Sequence, residues 1–328
     1  MFQNKAEFIT AYLEKFQSVH GKGLDEGSIK EKYEALASLV RDQIARKWAR
    51  SNREYLARGA KQIYYFSIEF LQGRILLTNL INNDLLGPVN EGLSDLGIDL
   101  TELTELEPEA GLGSGGLGRL ASCFLDSMAS LQLPGHGCGI RYRYGMFKQK
   151  IVDGYQAELP DPWLKDGNFW EFRKADKAVV VRFGGNIRTE EVDGNQVFHH
   201  ENYQSVLAVP YDMPVSGYRN NTVNTLRLWS AEAMPSDSDA GPASETEYMK
   251  EMVYRRSIES ITEILYPDDS RYEGRVLRLK QQYFMVSAGL QSIVRWYKKK
   301  HGSLHDFNEK NAIHINDTHP VVVVPELM

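Results

Sequence analysis

Five glycines fall within the eight positions Gly111–Gly118 of GLGSGGLGRLASCFLDSM, and the run then turns into an amphipathic pattern. A loop without side chains exposes backbone N–H groups, and a helix N-terminus behind it carries partial positive charge; together they favour a phosphate. The same glycines serve equally well as a turn that packs tightly because no side chain intervenes. On these residues alone the two readings stand level. Gly113, Gly115 and Gly118 also satisfy the dinucleotide fingerprint G-x-G-x-x-G, which requires a strand directly before it and an acid roughly 20 positions on. The preceding stretch is the acidic ELEPEAG, and Arg141 and Arg143 stand where the acid belongs, so a nicotinamide or flavin nucleotide is disfavoured.

Two further clusters carry chemistry. YPDDSRYEG, residues 266–274, holds the adjacent carboxylates Asp268 and Asp269 between two helical stretches. Paired acids can be the acid and base of a glycosidase, but neighbours in a turn seldom face one site, and such aspartates more often shape turns and cap helices. A mobile loop over a cleft is the functional alternative. HINDTHP, residues 314–320, sets Asn, Asp, Thr and His just after a strand, where ligands bind in open α/β sheets. The bland counterpart is an Asx turn capping the next helix; the placement favours substrate contact.

The elements that must position these groups follow from periodicity. MFQNKAEFITAYLEKFQSVH reads as an amphipathic helix. Ser28 and Glu31 form a capping box for a helix to about Arg50, with Ile29, Tyr33, Leu36, Leu39, Val40 and Ile44 inward. KQIYYFSIEF reads as one buried central strand. Gly87–Glu109 reads as an acidic, solvated connection rich in turns. Leu117, Ala121, Phe124, Leu125 and Met128 give the helix after the glycines its buried face. Ile140 to Asn224 alternates in short segments, as β-rich decoration. Ser244 with Glu247 opens a helix through Leu265, and Glu273–Lys300 forms another, its KKK ending and Gly302 being ordinary helix-stop chemistry. NAIHIND is a further strand. Together these predict an α/β fold with a parallel-rich central sheet.

Bulk properties narrow the classes. The chain has 328 residues, 42% of them hydrophobic, and a formal charge of -6. Nucleic acid and anionic membrane surfaces are disfavoured as partners, since either needs clustered Lys and Arg. No apolar run approaches a membrane span and no signal segment is visible, so a cytoplasmic location is expected. The two cysteines, Cys123 and Cys138, read as small core residues, and no metal site is indicated. The ending THPVVVVPELM stops in an apolar segment with nothing to pack against, the pattern of a fragment.

In order along the chain, YYFSIEFLQGR, EAGLGSGGLGRLASCFLDSMASL, GIRYRYGMF, LPDPWLKDGNFWE, PVSGYRNNTVNTLRLWSA, ILYPDDSRYEGRVLRLKQQYF and INDTHPVVVVPELM resemble the N-terminal portion of the glycogen (α-1,4-glucan) phosphorylases, over nearly the entire sequence. The resemblance implies transfer of a terminal glucosyl unit from glycogen, starch or maltodextrin to inorganic phosphate, giving α-glucose 1-phosphate with retained configuration. It also implies pyridoxal 5′-phosphate working through its phosphate, in the cleft of a glycosyltransferase-B fold whose Rossmann-like N-terminal domain is residues 1–328. The Schiff-base lysine of that family belongs to the C-terminal domain, and no lysine of this sequence matches its motif. By resemblance Gly115 and Gly116 bind the cofactor and substrate phosphates, Leu117 packs on the sugar, and Leu71 lies near the cofactor ring. Asp269 and Ser270 belong to the active-site gate, where Arg271 and Tyr272 replace an aromatic pair of the animal enzymes, so the purine site of those enzymes is not carried over. Asp317 and His319 border the glucose pocket, with Asp269 and His319 in catalytic positions. The family is usually homodimeric, and the N-terminus, lacking a phosphorylation segment, resembles the bacterial type. A truncated glucan-binding or subunit-interaction protein without chemistry is the alternative.

Overall fold

The computed structural model describes residues 2–235 and 244–316. Its main sheet runs in the order Asn311–Ile315, Gln62–Phe66, Gly135–Ile140, Val223–Glu232, Gln204–Ser216, with Phe172–Arg173 and Val179–Phe183 both pairing to the last of these. The first four strands are mutually parallel and the rest antiparallel, so the parallel-rich α/β sheet expected from the sequence is present.

Alternation along Val223–Glu232 sorts the core into two layers. Leu226 and Leu228 pack with Leu36, Val40, Ala121 and Leu125 on one side, while Trp229 and Ala231 pack with Ile258, Phe284 and Ala288 on the other. The helix Ile29–Ala57 begins at the expected capping box, in which Ser28 Oγ accepts from the Glu31 amide (3.3 Å) and Glu31 Oε2 from the Ser28 amide (2.8 Å). It continues past Arg50 because Ser51 and Tyr55 still reach the sheet, bonding to the Asn221 carbonyl and Asn224 side chain. The helix Tyr272–His301 ends at Gly302 in the left-handed region, φ 76°. Carbonyls of Lys177, Ala178, Val180 and Arg182 accept from its Arg295, Gln291 and Tyr283 side chains.

Several expectations are corrected. KQIYYFSIEF is not one strand: Gln62–Phe66 ends, the chain bends at Ser67–Glu69, and Phe70–Gly73 joins a separate ladder. Gly87–Glu109 is not a solvated connection. It folds into the helices Leu86–Asp95 and Leu100–Glu105, which bury Val89, Leu93 and Leu103. The buried Glu107 carboxylate behind them accepts from the amides of Ile75 and Leu76 and from the Trp170 indole, a partnership across 63 residues that local polarity hides. The stretch called decoration supplies three main-sheet strands, Phe172–Arg173, Val179–Phe183 and Gln204–Ser216, and the first residues of a fourth, Val223–Glu232, beside two exposed hairpins. The helix from Ser244 stops at Glu259 and tightens into one 3₁₀ turn, Ser260–Thr262, before Leu265. Cys138 is buried as expected, but Cys123 is exposed. Among the described residues, no helix is long and apolar enough to cross a membrane, and no cluster of His, Cys, Asp or Glu is arranged to hold a metal ion.

Candidate active site

The site assembles where the parallel strands end. Past Phe66 the backbone turns, with the Ser67 hydroxyl accepting from the Glu69 amide at 3.3 Å. The Phe70 ring then lies on Gly139 of the neighbouring strand, where a Cβ would sit 2.7 Å from it, and close to Gly137, where a Cβ would overlap Leu125 and Leu226. Phe70–Gly73 pairs antiparallel with Ala110–Leu112, the short strand that leads into the glycine loop. A strand therefore does precede the loop, contrary to the sequence reading, but it lies in a two-stranded ladder outside the main sheet, so a Rossmann dinucleotide turn is still not formed.

The glycines divide by cause. A Cβ on Gly113 would sit 2.8 Å from Glu69 Cβ and 2.9 Å from Gly118 Cα, and one on Gly118 would sit 2.8 Å from Gly113 Cα. Those two are glycine because the loop folds back on itself. Gly115 and Gly116 are exposed, have no positive φ, and a Cβ on either meets no atom within 4 Å. Neither packing within the chain nor backbone conformation requires glycine there. Among the described residues, no acceptor engages the amides of Gly115, Gly116 or Leu117, while the Ser114 and Arg119 amides are satisfied by Glu69 Oε2 (2.9 Å) and the Ser114 carbonyl (3.0 Å). These free donors open the helix Leu117–Ser130, where backbone dipoles add partial positive charge.

That helix is held by Gly118, Ala121, Ser122, Leu125 and Ala129, all buried. Of the face expected from the sequence, Ala121 and Leu125 are buried, Leu117 and Met128 only partly, and Phe124 stays 43% exposed with one side tilted against Tyr65. Leu71 lies beside the loop: its amide is 3.3 Å from a Cβ placed on Gly118, and its carbonyl accepts from Arg119 at 3.3 Å.

Asp269 and Ser270 lie exposed on the connection into Tyr272–His301. Here Asp268 shapes the turn, accepting from the Ser270 amide (3.2 Å) and hydroxyl (2.5 Å) and pairing with Arg271 at 3.5 Å, so only Asp269 of the two acids is left free to face outward. Gly274 is required by packing: a Cβ there would overlap the Asp268 carbonyl.

The two loops meet at a buried carboxylate that the sequence reading passed over. Glu69, 4% exposed, accepts from the Ser114 amide and hydroxyl on the glycine-loop side. On the side of the 266–272 loop Tyr266 has Ser114 and Glu69 as polar neighbours, and Arg278 comes within 3.9 Å of the same carboxylate. Desolvation, the largest effect, raises the Tyr266 and Tyr142 phenol pKa values, with the Glu69 charge adding to both, so both stay protonated near neutrality. The available signal was SIEF itself, because a lone acid in an apolar strand must find partners when it is buried.

The end of Asn311–Ile315 reaches the same edge. The Asn316 amide donates to the Phe66 carbonyl at 3.1 Å and its side chain to Tyr65 at 3.3 Å, while His314 stacks on Tyr65. This puts the segment leading to Asp317 and His319 at the strand ends, although those two residues lie outside the described residues. The structure thus brings Leu71, Gly115, Gly116 and Leu117 together, with Ser270 and Asp269 on the loop joined to them through Tyr266 and Glu69.

A family model described as carbohydrate phosphorylase matches residues 93–328. Glycogen phosphorylase of Bacillus subtilis is 49% identical over 328 residues, covering 100% of this chain and 40% of that protein. The human brain form is 46% identical over 302 residues (90% of this chain, 35% of its own), and the human liver form 43% over 334 residues (99% and 39%). The chain therefore spans about two-fifths of the length of these relatives. Its α/β sheet agrees with the N-terminal domain of a glycosyltransferase-B fold. With the matched region covering most of the sequence, the chain belongs to the carbohydrate phosphorylase family.

Proposed function

We propose that this chain is the N-terminal domain of a cytoplasmic α-1,4-glucan phosphorylase and contributes one wall of a composite active site. There a terminal glucosyl unit of glycogen, starch or maltodextrin passes to inorganic phosphate, giving α-glucose 1-phosphate. The observation that carries the reading is the pair Gly115 and Gly116, glycines that neither packing nor backbone angle explains, whose amides are free at a helix N-terminus. Those amides donate to phosphate oxygens in the space that side chains would fill, offsetting charge as the glycosidic bond breaks. Leu117, first in its helix, meets the sugar.

The same cradle fits the phosphate of pyridoxal 5′-phosphate, which when bound supplies a proton donor and acceptor beside the substrate phosphate. Leu71 flanks the ring position, and Arg119 fixes the Leu71 backbone through its carbonyl. The cofactor lysine comes from the C-terminal domain of the family, outside residues 1–328. Asp269 and Ser270 meet the glucan at the gate, and Asp317 and His319 take the roles the family gives them at the glucose pocket. A homodimer is part of the reading: Tyr248, Met249, Met252 and Val253 form an exposed apolar stripe on the helix Glu245–Glu259 that a second copy can cover.

The test is phosphorolysis of glycogen by residues 1–328, alone and mixed with the C-terminal part of the Bacillus subtilis relative and pyridoxal phosphate. Glucose 1-phosphate appears only in the mixture. Release of free glucose without phosphate, or phosphorolysis by the chain alone, overturns the reading.

A further inference from the structure

Glu69 sits where, among the described residues, the glycine loop, the gate loop and the long helix behind the gate share a partner. Its carboxylate fixes the Ser114 amide at 2.9 Å, one residue before the free amides begin. Its Cβ and Oε2 occupy the space that a side chain on Gly113 would take, 2.8 and 3.1 Å from a Cβ placed there. On the other side, Arg278 sets its positive charge 3.9 Å from Glu69 while donating to the Leu265 carbonyl at 3.2 Å, directly before Tyr266, which has Ser114 and Glu69 as polar neighbours. Gln281 holds the Ile264 carbonyl at 2.9 Å. The start of the gate is thus pinned to the helix Tyr272–His301, and the helix and gate share a buried acid with the phosphate cradle. A carboxylate kept at this burial is costly unless its partners stay in place, so the four groups favour one joint arrangement.

We propose that Glu69 is a positioning residue that sets the orientation of the Gly115–Leu117 amides jointly with the placement of the gate loop. This rests on reading those amides as the phosphate cradle. Loss of the Glu69 charge frees both loops together, because Ser114 and Arg278 lose the charged partner that they share.

Amide hydrogen exchange on the whole 328-residue chain decides it, in the unsubstituted protein and in Glu69→Gln and Tyr266→Phe. Glu69→Gln speeds exchange about tenfold both in residues 113–118 and in residues 266–272, leaving Lys5–His20 unchanged. Tyr266→Phe, a change at a side chain 43% exposed, speeds exchange in residues 114–117 about threefold from across the junction. An effect of Glu69→Gln confined to one loop, or an unmoved glycine loop in Tyr266→Phe, overturns the proposal, and the Tyr266 variant decides alone if Glu69→Gln does not fold. In the reconstituted phosphorolysis assay, Glu69→Gln raises the KM for phosphate about tenfold and leaves that for glucan within about twofold. Absence of activity in the unsubstituted mixture fails the phosphate reading, while the exchange experiment still decides the coupling.

Discussion

Gly113 and Gly118 differ from Gly115 and Gly116 in the reason each is glycine, although all four lie in one loop of the same composition. The outer pair lie so close to each other, and Gly113 to Glu69, that a methyl group has no place, whereas a Cβ on either of the inner pair meets open space and neither has a positive φ. A glycine-rich segment is thus a mixture of positions that the chain needs for itself and positions that it leaves bare for something else. The sequence offered those as rival explanations of the loop; the structure assigns each to different residues.

The contrast can be broken or sharpened by unfolding and binding measurements. The largest effect is expected outside the loop, at Gly274, where a Cβ overlaps the Asp268 backbone: Gly274→Ala lowers stability by about 4 kcal/mol in denaturant unfolding. A cost below about 1 kcal/mol there would show that overlap with backbone is a poor guide to which glycines the chain needs.

Next is a pH effect beneath the loop. His136, on the strand against which the glycine-loop helix packs, donates from Nε2 to Gln62 Oε1 at 2.8 Å and is held down to about 4 by burial and then by the Arg227 charge. Below the ordinary value of 6.5 the unfolded chain takes up a proton that the folded chain refuses. This contribution to stability is whole above pH 6.5 and falls by about 3 kcal/mol as pH drops to 4. His136→Gln flattens that decline in a pH series of urea unfolding curves; an unchanged slope would assign the acid sensitivity elsewhere. Comparisons among the glycines therefore belong above pH 6.5.

The smallest effects distinguish the two pairs directly. Gly113→Ala or Gly118→Ala costs about 2 kcal/mol of stability, whereas Gly115→Ala or Gly116→Ala changes it by less than about 0.5 kcal/mol and abolishes phosphorolysis in the reconstituted assay. Equal stability losses at all four positions would erase the distinction.

Much of the scaffold was legible because its signals are local. Ser28 and Glu31 cap within one turn, and the apolar period of Tyr272–His301 persists to Gly302. The misses have distant causes. The bend after Phe66 depends on room made for Phe70 by Gly137 and Gly139 on another strand, so an unbroken run of aromatic and branched residues concealed it. The acidic stretch before the glycine loop reads as solvated until Trp170 and the Leu76 amide are known to meet Glu107. At the site itself, the bare loop was visible, but sorting its glycines required Glu69, which approaches from the bend before the ladder strand. Asp268 and Asp269 looked equivalent until the turn claimed one of them.

The helix Tyr272–His301 has 30 residues and is stitched along its length to the sheet's far strands. At 1.5 Å per residue it is a rod about 45 Å long, and a tilt of about one degree pivoting on its distal end carries its first residue about 0.8 Å. Arg271 stands at the start of that helix without a side-chain capping bond, so the 266–271 loop before it moves with the leverage of a long arm, and its tolerance is fixed as much by the seating of Arg295 and Gln291 as by anything in the loop itself.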